Sequence, residues 1–268
     1  MRLTIVGCGS IGTKLAKAAD EMQEVKRIYL IDSDQARAQQ VADQLQKAIV
    51  VKSVEEELYH CDLVVEAASQ AAAAEILPKV VGRGVDIMLM SVGALVDDKF
   101  RASVFEKSKN SGSKIMIPSG AVAGADVLRS ASMDDLTAVE LTTTKSPGSL
   151  RDIQYLKDTD VEIEKIKEPT VIFDGSARDA VRLFPKNINV AATVSILGVG
   201  FDRTRIRIIL DPHIRSNTHE LVIIGAFGKS VCHTDNVPSP DNPRTSHLAA
   251  LSAISVLHRI IRNEWVGI

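Results

Sequence analysis

Near the start of the chain, Gly7-Cys8-Gly9-Ser10-Ile11-Gly12 has the spacing G-x-G-x-x-G. It follows an apolar run and opens a helical pattern. Asp32 closes the next apolar run, 20 positions beyond Gly12. Each part has a chemical use. The first glycine permits a tight turn, the second lets backbone approach a pyrophosphate, and the third lets helix and strand pack closely. Unpaired N–H groups at the helix start, from Ser10 and Ile11 onward, then face phosphate charge. The Asp32 carboxylate can accept hydrogen bonds from both ribose hydroxyls and repels a 2′-phosphate. NAD is therefore the expected cofactor. NADP is the alternative if Arg37, five residues on, softens that repulsion. Small residues after two later strands, Ala67-Ala68-Ser69-Gln70 and Ser91-Val92-Gly93-Ala94, leave room for a nicotinamide ribose. They nominate Ala68 and Ser69 as cofactor contacts, although Ser69 reads equally well as a helix cap.

A second set of residues suits proton transfer and carboxylate binding. His219 stands in Asn217-Thr218-His219-Glu220, where a polar loop becomes an apolar strand. A strand end is a rigid platform for a catalytic base, and strand alternation turns Glu220 to the opposite face. Lys145, in Thr143-Thr144-Lys145-Ser146-Pro147, ends a strand near the expected junction of two domains. Arg203, Arg205 and Arg207 alternate along one strand face. Lys145 first and Arg205 second are therefore candidates for binding substrate carboxylates, with a solvated basic face as the competing reading of the arginines. Cys8, Cys61 and Cys232 have no activating base beside them, which argues against thioester chemistry. Their odd number and wide spacing give neither a disulfide framework nor a metal site.

The elements that position these residues follow from periodicity. Strand-length apolar runs at 3–6, 28–31, 63–65, 87–90 and 115–117 alternate with helical patterns at 12–23, 34–45, 71–81 and 99–111. Ser53 and Glu56 form a capping box for a short extra helix. This is α/β grammar: residues 1–120 should form a Rossmann-type, doubly wound parallel sheet that binds a dinucleotide. After Pro118 the pattern changes. A helix to about residue 132 precedes strands at 138–145, 205–211, 220–226 and 229–237, with helices at 176–184 and 189–197. Residues 121–241 should thus form a second α+β domain on a mostly antiparallel sheet, serving catalysis and dimerisation. The closing helix should open near Asn242-Pro243, and segment 242–268 should pack back on the first domain.

Composition limits the function. Of 268 residues, 45% are hydrophobic and 25% charged, as in an ordinary folded chain. A formal net charge of −2 and 4% aromatic residues give no field or stacking platform for nucleic acid. No run is long enough to cross a membrane, and a reducing cytoplasm is the natural compartment for these cysteines.

Several strings together are similar to the L-aspartate dehydrogenase family of NAD biosynthesis. They are Val6–Gly12, Pro118-Ser119-Gly120-Ala121-Val122-Ala123-Gly124, Phe184-Pro185-Lys186-Asn187-Ile188-Asn189-Val190-Ala191-Ala192, Asp211-Pro212, Asn217-Thr218-His219-Glu220 and Asn242-Pro243-Arg244-Thr245-Ser246. The resemblance spans nearly the whole chain. It implies that His219 is the active-site histidine and that Ala123 and Asn189 contact NAD. It also implies a homodimer that oxidises L-aspartate to iminosuccinate, which passes to quinolinate synthase or hydrolyses to oxaloacetate and ammonia. The family's Thr-Arg-Lys-Pro-Pro segment reads Thr143-Thr144-Lys145-Ser146-Pro147 here, without the arginine. A non-catalytic NAD-binding sensor is the rival reading from another class. A homoserine or semialdehyde dehydrogenase is the enzymatic rival.

Overall fold

A computed structural model describes residues 1–150, 153–159, 161–185, 188–239 and 242–265. It divides into two compact units, Met1–Pro118 with the last helix from Ala250, and Ser119–Ala249.

The first unit holds a six-stranded sheet of β1 (Arg2–Val6), β2 (Arg27–Ile31), β3 (Ala48–Val50), β4 (Leu63–Glu66), β5 (Asp86–Leu89) and β6 (Ile115–Met116). The order is β3-β2-β1-β4-β5-β6 with every pair parallel, so the winding reverses between β1 and β4. Leu3, Ile5, Ile28, Leu30 and Leu63 are almost wholly buried, as strands covered on both faces must be. The intervening helices are α1 (Ser10–Glu21), α2 (Gln35–Ala42), α3 (Val54–Glu57), α4 (Gln70–Gly82) and α5 (Asp98–Ser111). Asp34, Ser53, Ser69 and Asp97 cap the last four by accepting a backbone N–H, each cap worth about 1 kcal/mol. Only α1 among these five starts on a glycine, Gly9, with no capping side chain. It packs through Gly12, Leu15, Ala16 and Ala19.

The second unit begins with α6 (Ala125–Ala131) and β7 (Leu136–Lys145). After α7 (Gln154–Lys157) come β8 (Thr170–Ser176), α8 (Ala177–Leu183), α9 (Asn189–Leu197), β9 (Arg205–Leu210), β10 (Asn217–Gly225) and β11 (Gly228–Asn236). The sheet order is β11-β10-β7-β9-β8, antiparallel except for the β7–β9 pair. One face is dry, carrying Val139, Leu141, Ile206, Ile208, Leu221 and Ile223. The other carries Glu140, Glu220, Arg205 and Arg207.

Three features depart from the sequence expectation. The short strand β3 and the strand β8 have no counterpart in the apolar runs. The segment from Asn242 does not open the last helix. It forms β13 (Asn242–Ser246) against β12 (Pro238–Ser239), and the helix, α10, runs His247–Arg262. Ala253 and Leu257 of α10 lie in the core of the first unit with Leu3, Leu15 and Ile28. The expected segment's end, 266–268, lies outside the described residues.

Gly12 has no room for a side chain: a Cβ there would meet the Gly7 carbonyl oxygen. A Cβ on Gly9 would meet nothing within 4 Å. In thermal melts, Gly12→Ala is expected to lower Tm by about 5 °C or more. Gly9→Ala should leave Tm nearly unchanged. Equal Tm values would show that the turn relaxes around Gly12.

Candidate active site

The glycine turn lies at the reversal point of the first sheet. Gly7 has φ +99°, and its Cα packs on the Ala67–Ala68 backbone, where any Cβ would collide. The turn is therefore pressed against the loop after β4, with no side chain between. Beyond Gly9, the first N–H groups of α1 have no capping side chain, and the cradle above Gly9 is open. This combination fits a phosphate group.

Asp32 is held on two sides. Its Oδ2 accepts the Cys8 N–H at 2.7 Å and its Oδ1 accepts the Asp34 N–H at 2.8 Å. The carboxylate is thus fixed beside the turn with lone pairs to spare for a ribose. Arg37 reaches Asp32 at 3.6 Å and Asp34 at 3.3 Å. Ser69 is the cap of α4, accepting the Ala72 N–H at 3.2 Å. The Ala68 N–H donates to Glu66 at 2.9 Å. Burial, then Asp32, pushes the Cys8 thiol up to about 11, and burial raises the Cys61 thiol. Neither is a nucleophile at neutral pH.

The second unit gathers the other set on the dry face at one end of its sheet. His219 pairs in register with Thr143 of β7 and Thr234 of β11. Its Nδ1 lies 3.0 Å from Thr143 Oγ1, within hydrogen-bond distance. Two residues along β7, Lys145 is 7% exposed, and no hydrogen bond or ion pair reaches its ammonium among the described residues. Burial alone pulls its ammonium down to about 8. Burial, reinforced by the Lys145 charge, drives His219 down to about 3, so the imidazole is neutral throughout the physiological range.

The loop before α6 docks on the same end. The Ala123 N–H donates to Thr234 Oγ1 at 3.1 Å, and Asn236 Nδ2 donates to the Ala121 carbonyl at 2.9 Å. Gly120 faces the Val190 side chain, which follows Asn189 at the start of α9. Ala123 and His219 are thereby linked through Thr234. Lys186 and Asn187, between Phe184 and Asn189, lie outside the described residues.

Arg205 does not join this group. It pairs in register with Glu140, whereas Thr143 and Lys145 pair with Ile208 and Leu210 on the other face. Arg205 and Arg207 instead clamp Asp174, at 2.7 Å and 3.1 Å, on the wet face. Arg203 precedes β9 and donates to the Leu136 carbonyl. Glu220 also faces away from His219, 3.9 Å from His233. Two contributors had no sequence signal strong enough to nominate them: Thr143, one of three consecutive threonines, and Glu66, the last residue of an apolar strand.

The comparisons with known proteins agree along the chain. Residues 126–260 match the family model described as aspartate dehydrogenase, C-terminal. Residues 7–118 match the homoserine dehydrogenase NAD-binding domain. The L-aspartate dehydrogenase of Methanosarcina acetivorans is 42% identical, with 100% of this chain and 99% of that protein aligned. That of Nitrosopumilus maritimus is 38% identical, over 98% and 97%. The crystal structure of Thermotoga maritima aspartate dehydrogenase superposes with a TM-score of 0.73 at 28% identity, covering 98% of this chain and 96% of that one. With its C-terminal half matched by the family model and its full length by these relatives, the chain belongs to the aspartate dehydrogenase family.

Proposed function

We propose that the protein is an NAD(P)-dependent L-aspartate dehydrogenase, oxidising L-aspartate to iminosuccinate. The observation that carries this reading is the Lys145 ammonium, uncompensated among the described residues, beside a neutral His219. A buried cation without a counter-charge is unfavourable, and an anionic ligand relieves it. The bound nicotinamide supplies the hydride acceptor, and the chain's own residues bind, orient and move protons. Lys145 holds a substrate carboxylate. In the tautomer that donates Nδ1–H to Thr143 Oγ1, Nε2 is left free to accept a proton from the substrate ammonium. The glycine turn, Asp32, Ala68, Ser69, Ala123 and Asn189 hold the dinucleotide. Val222 and Val231, paired on the wet face near exposed Ile224 and Phe227, support assembly as a homodimer. The imine suits hand-over to quinolinate synthase, because water otherwise converts it to oxaloacetate and ammonia. A non-catalytic sensor would need neither Lys145 nor His219.

Three outcomes test the reading. His219→Ala is expected to lower kcat about 10²–10⁴-fold with coenzyme Kd unchanged. Thr143→Val should lower it by a smaller factor, about tenfold, and Thr143→Ser should restore it. Near-normal turnover in folded His219→Ala removes this histidine from the mechanism.

For Lys145, succinate is a useful inhibitor because it has both carboxylates and no amine to titrate. Lys145 is charged below about 8 and neutral above it. The succinate Ki should therefore be flat below that pH and rise about tenfold per unit above it. Lys145→Ala should weaken succinate at every pH and abolish the rise. A Ki independent of pH in the wild type removes Lys145 from the carboxylate site.

Asp32 should set the coenzyme preference for NAD, and its removal frees Arg37 for a 2′-phosphate. Asp32→Ala is expected to shift the kcat/KM ratio toward NADP by roughly tenfold or more. An unchanged ratio overturns the assignment.

A further inference from the structure

Glu66 is the only wholly buried carboxylate among the described residues, at 0% exposure. It ends β4, and its register partner on β1 is Val6, the residue before the glycine turn. It therefore sits where the sheet reverses, at the carboxyl ends of the strands, where such sheets bind ligands. Its Oε1 accepts the Ala68 N–H at 2.9 Å and the Ser91 hydroxyl at 2.8 Å. Its Oε2 accepts the Ser91 N–H at 2.8 Å. It thus ties together the two loops after β4 and β5 that were singled out for their small residues.

A neutral amide could make part of such a tie. A carboxylate placed there carries a charge as well, and no ion pair reaches it among the described residues. Most of its donors are backbone N–H groups, Ser69 joining Ala68 and Ser91, and these can only donate, so the geometry suits the ionised form. Burial pushes the carboxyl above its ordinary range, while the bonds from Ser91, Ala68 and Ser69 pull it back. A nearby positive charge would favour ionisation further.

The two redox states of a pyridine nucleotide differ by one positive charge on the nicotinamide ring. We propose that Glu66 is a specificity-determining residue for redox state: its fixed negative charge favours the oxidised coenzyme over the reduced one. The proposal rests on the coenzyme reading above. The effect acts through protein of low polarity, where opposite unit charges several ångströms apart shift an affinity by about tenfold.

The test measures Kd for NAD⁺, NADH and ADP-ribose by calorimetry on wild type, Glu66→Gln and Glu66→Asp. ADP-ribose engages the glycine turn and Asp32 but has no nicotinamide. Glu66→Gln should raise the ratio of the NAD⁺ Kd to the NADH Kd about tenfold and leave ADP-ribose unchanged. Glu66→Asp keeps the charge and should keep the ratio. A parallel loss of both nucleotides in Glu66→Gln, with the ratio fixed, would make Glu66 a brace only and overturn the proposal. Failure of the wild type to bind ADP-ribose would instead overturn the coenzyme reading and the proposal with it. If Glu66→Gln does not fold, the wild type answers through linkage. Its buried glutamate carboxyl, followed by ¹³C resonance, should titrate at lower pH with NAD⁺ than with NADH. Identical titration in both complexes overturns the proposal.

Discussion

An ammonium group kept out of water, with no counter-charge among the described residues, is the constraint around which the second unit is arranged. Lys145 reaches that position because β7, β10 and β9 are held in one register. A slip of one residue would carry Lys145 and Thr143 to the wet face and separate His219 from its threonine. The aliphatic residues that alternate with them, Leu141, Ile206, Ile208 and Leu221, make such a slip unfavourable, because it would expose the whole dry face. The packing that stabilises this sheet is thus also what fixes the spacing between cation and imidazole.

The first unit holds backbone N–H groups open at the start of one helix. Its other helices among α1–α5 close their first turns with side-chain caps, and α1 does not. The omission is paired with tight contact elsewhere: Gly12 against the Gly7 carbonyl and Gly7 against Ala67. Open N–H groups are thereby held in a turn that cannot collapse onto itself. Asp32 is oriented by two backbone N–H groups, one of which comes from the turn itself. The Asp32 carboxylate and the open amides of the turn are therefore parts of one hydrogen-bonded unit.

Much of this was legible in the sequence because it rests on local rules. The glycine spacing, the parallel strands and the caps at Ser53 and Ser69 are set by residues within a few positions of one another. What escaped depends on which face a partner covers. Alternation placed Arg205 and Arg207 on one strand face, but not on the face opposite Lys145; that follows from the pairing of β9 with β7. Thr143 has no signal of its own, since its role arises from a strand 76 residues away. Glu66 reads as the end of an apolar run until Ser91 is seen to donate to it. Strand β8 escaped because it owes its place to β9, and β13 because Asn-Pro suits a helix start as well as an edge strand.

The electrostatics of the second site also bear on when His219 could act as the proposed base. At about 3, its proton affinity is too low for efficient general-base catalysis near neutral pH. Two causes hold it there, burial first and the Lys145 charge second. A carboxylate seated on Lys145 would cancel much of the second and bring a negative charge near the imidazole, which raises its proton affinity. The same carboxylate raises the affinity of Lys145 for its own proton. Substrate charge would thus restore both groups toward the forms that the reaction needs, a protonated lysine and a more basic histidine. A ligand without that carboxylate would leave the histidine weak. In the proposed arrangement, selection for an acidic amino acid and activation of the base would both follow from one ion pair.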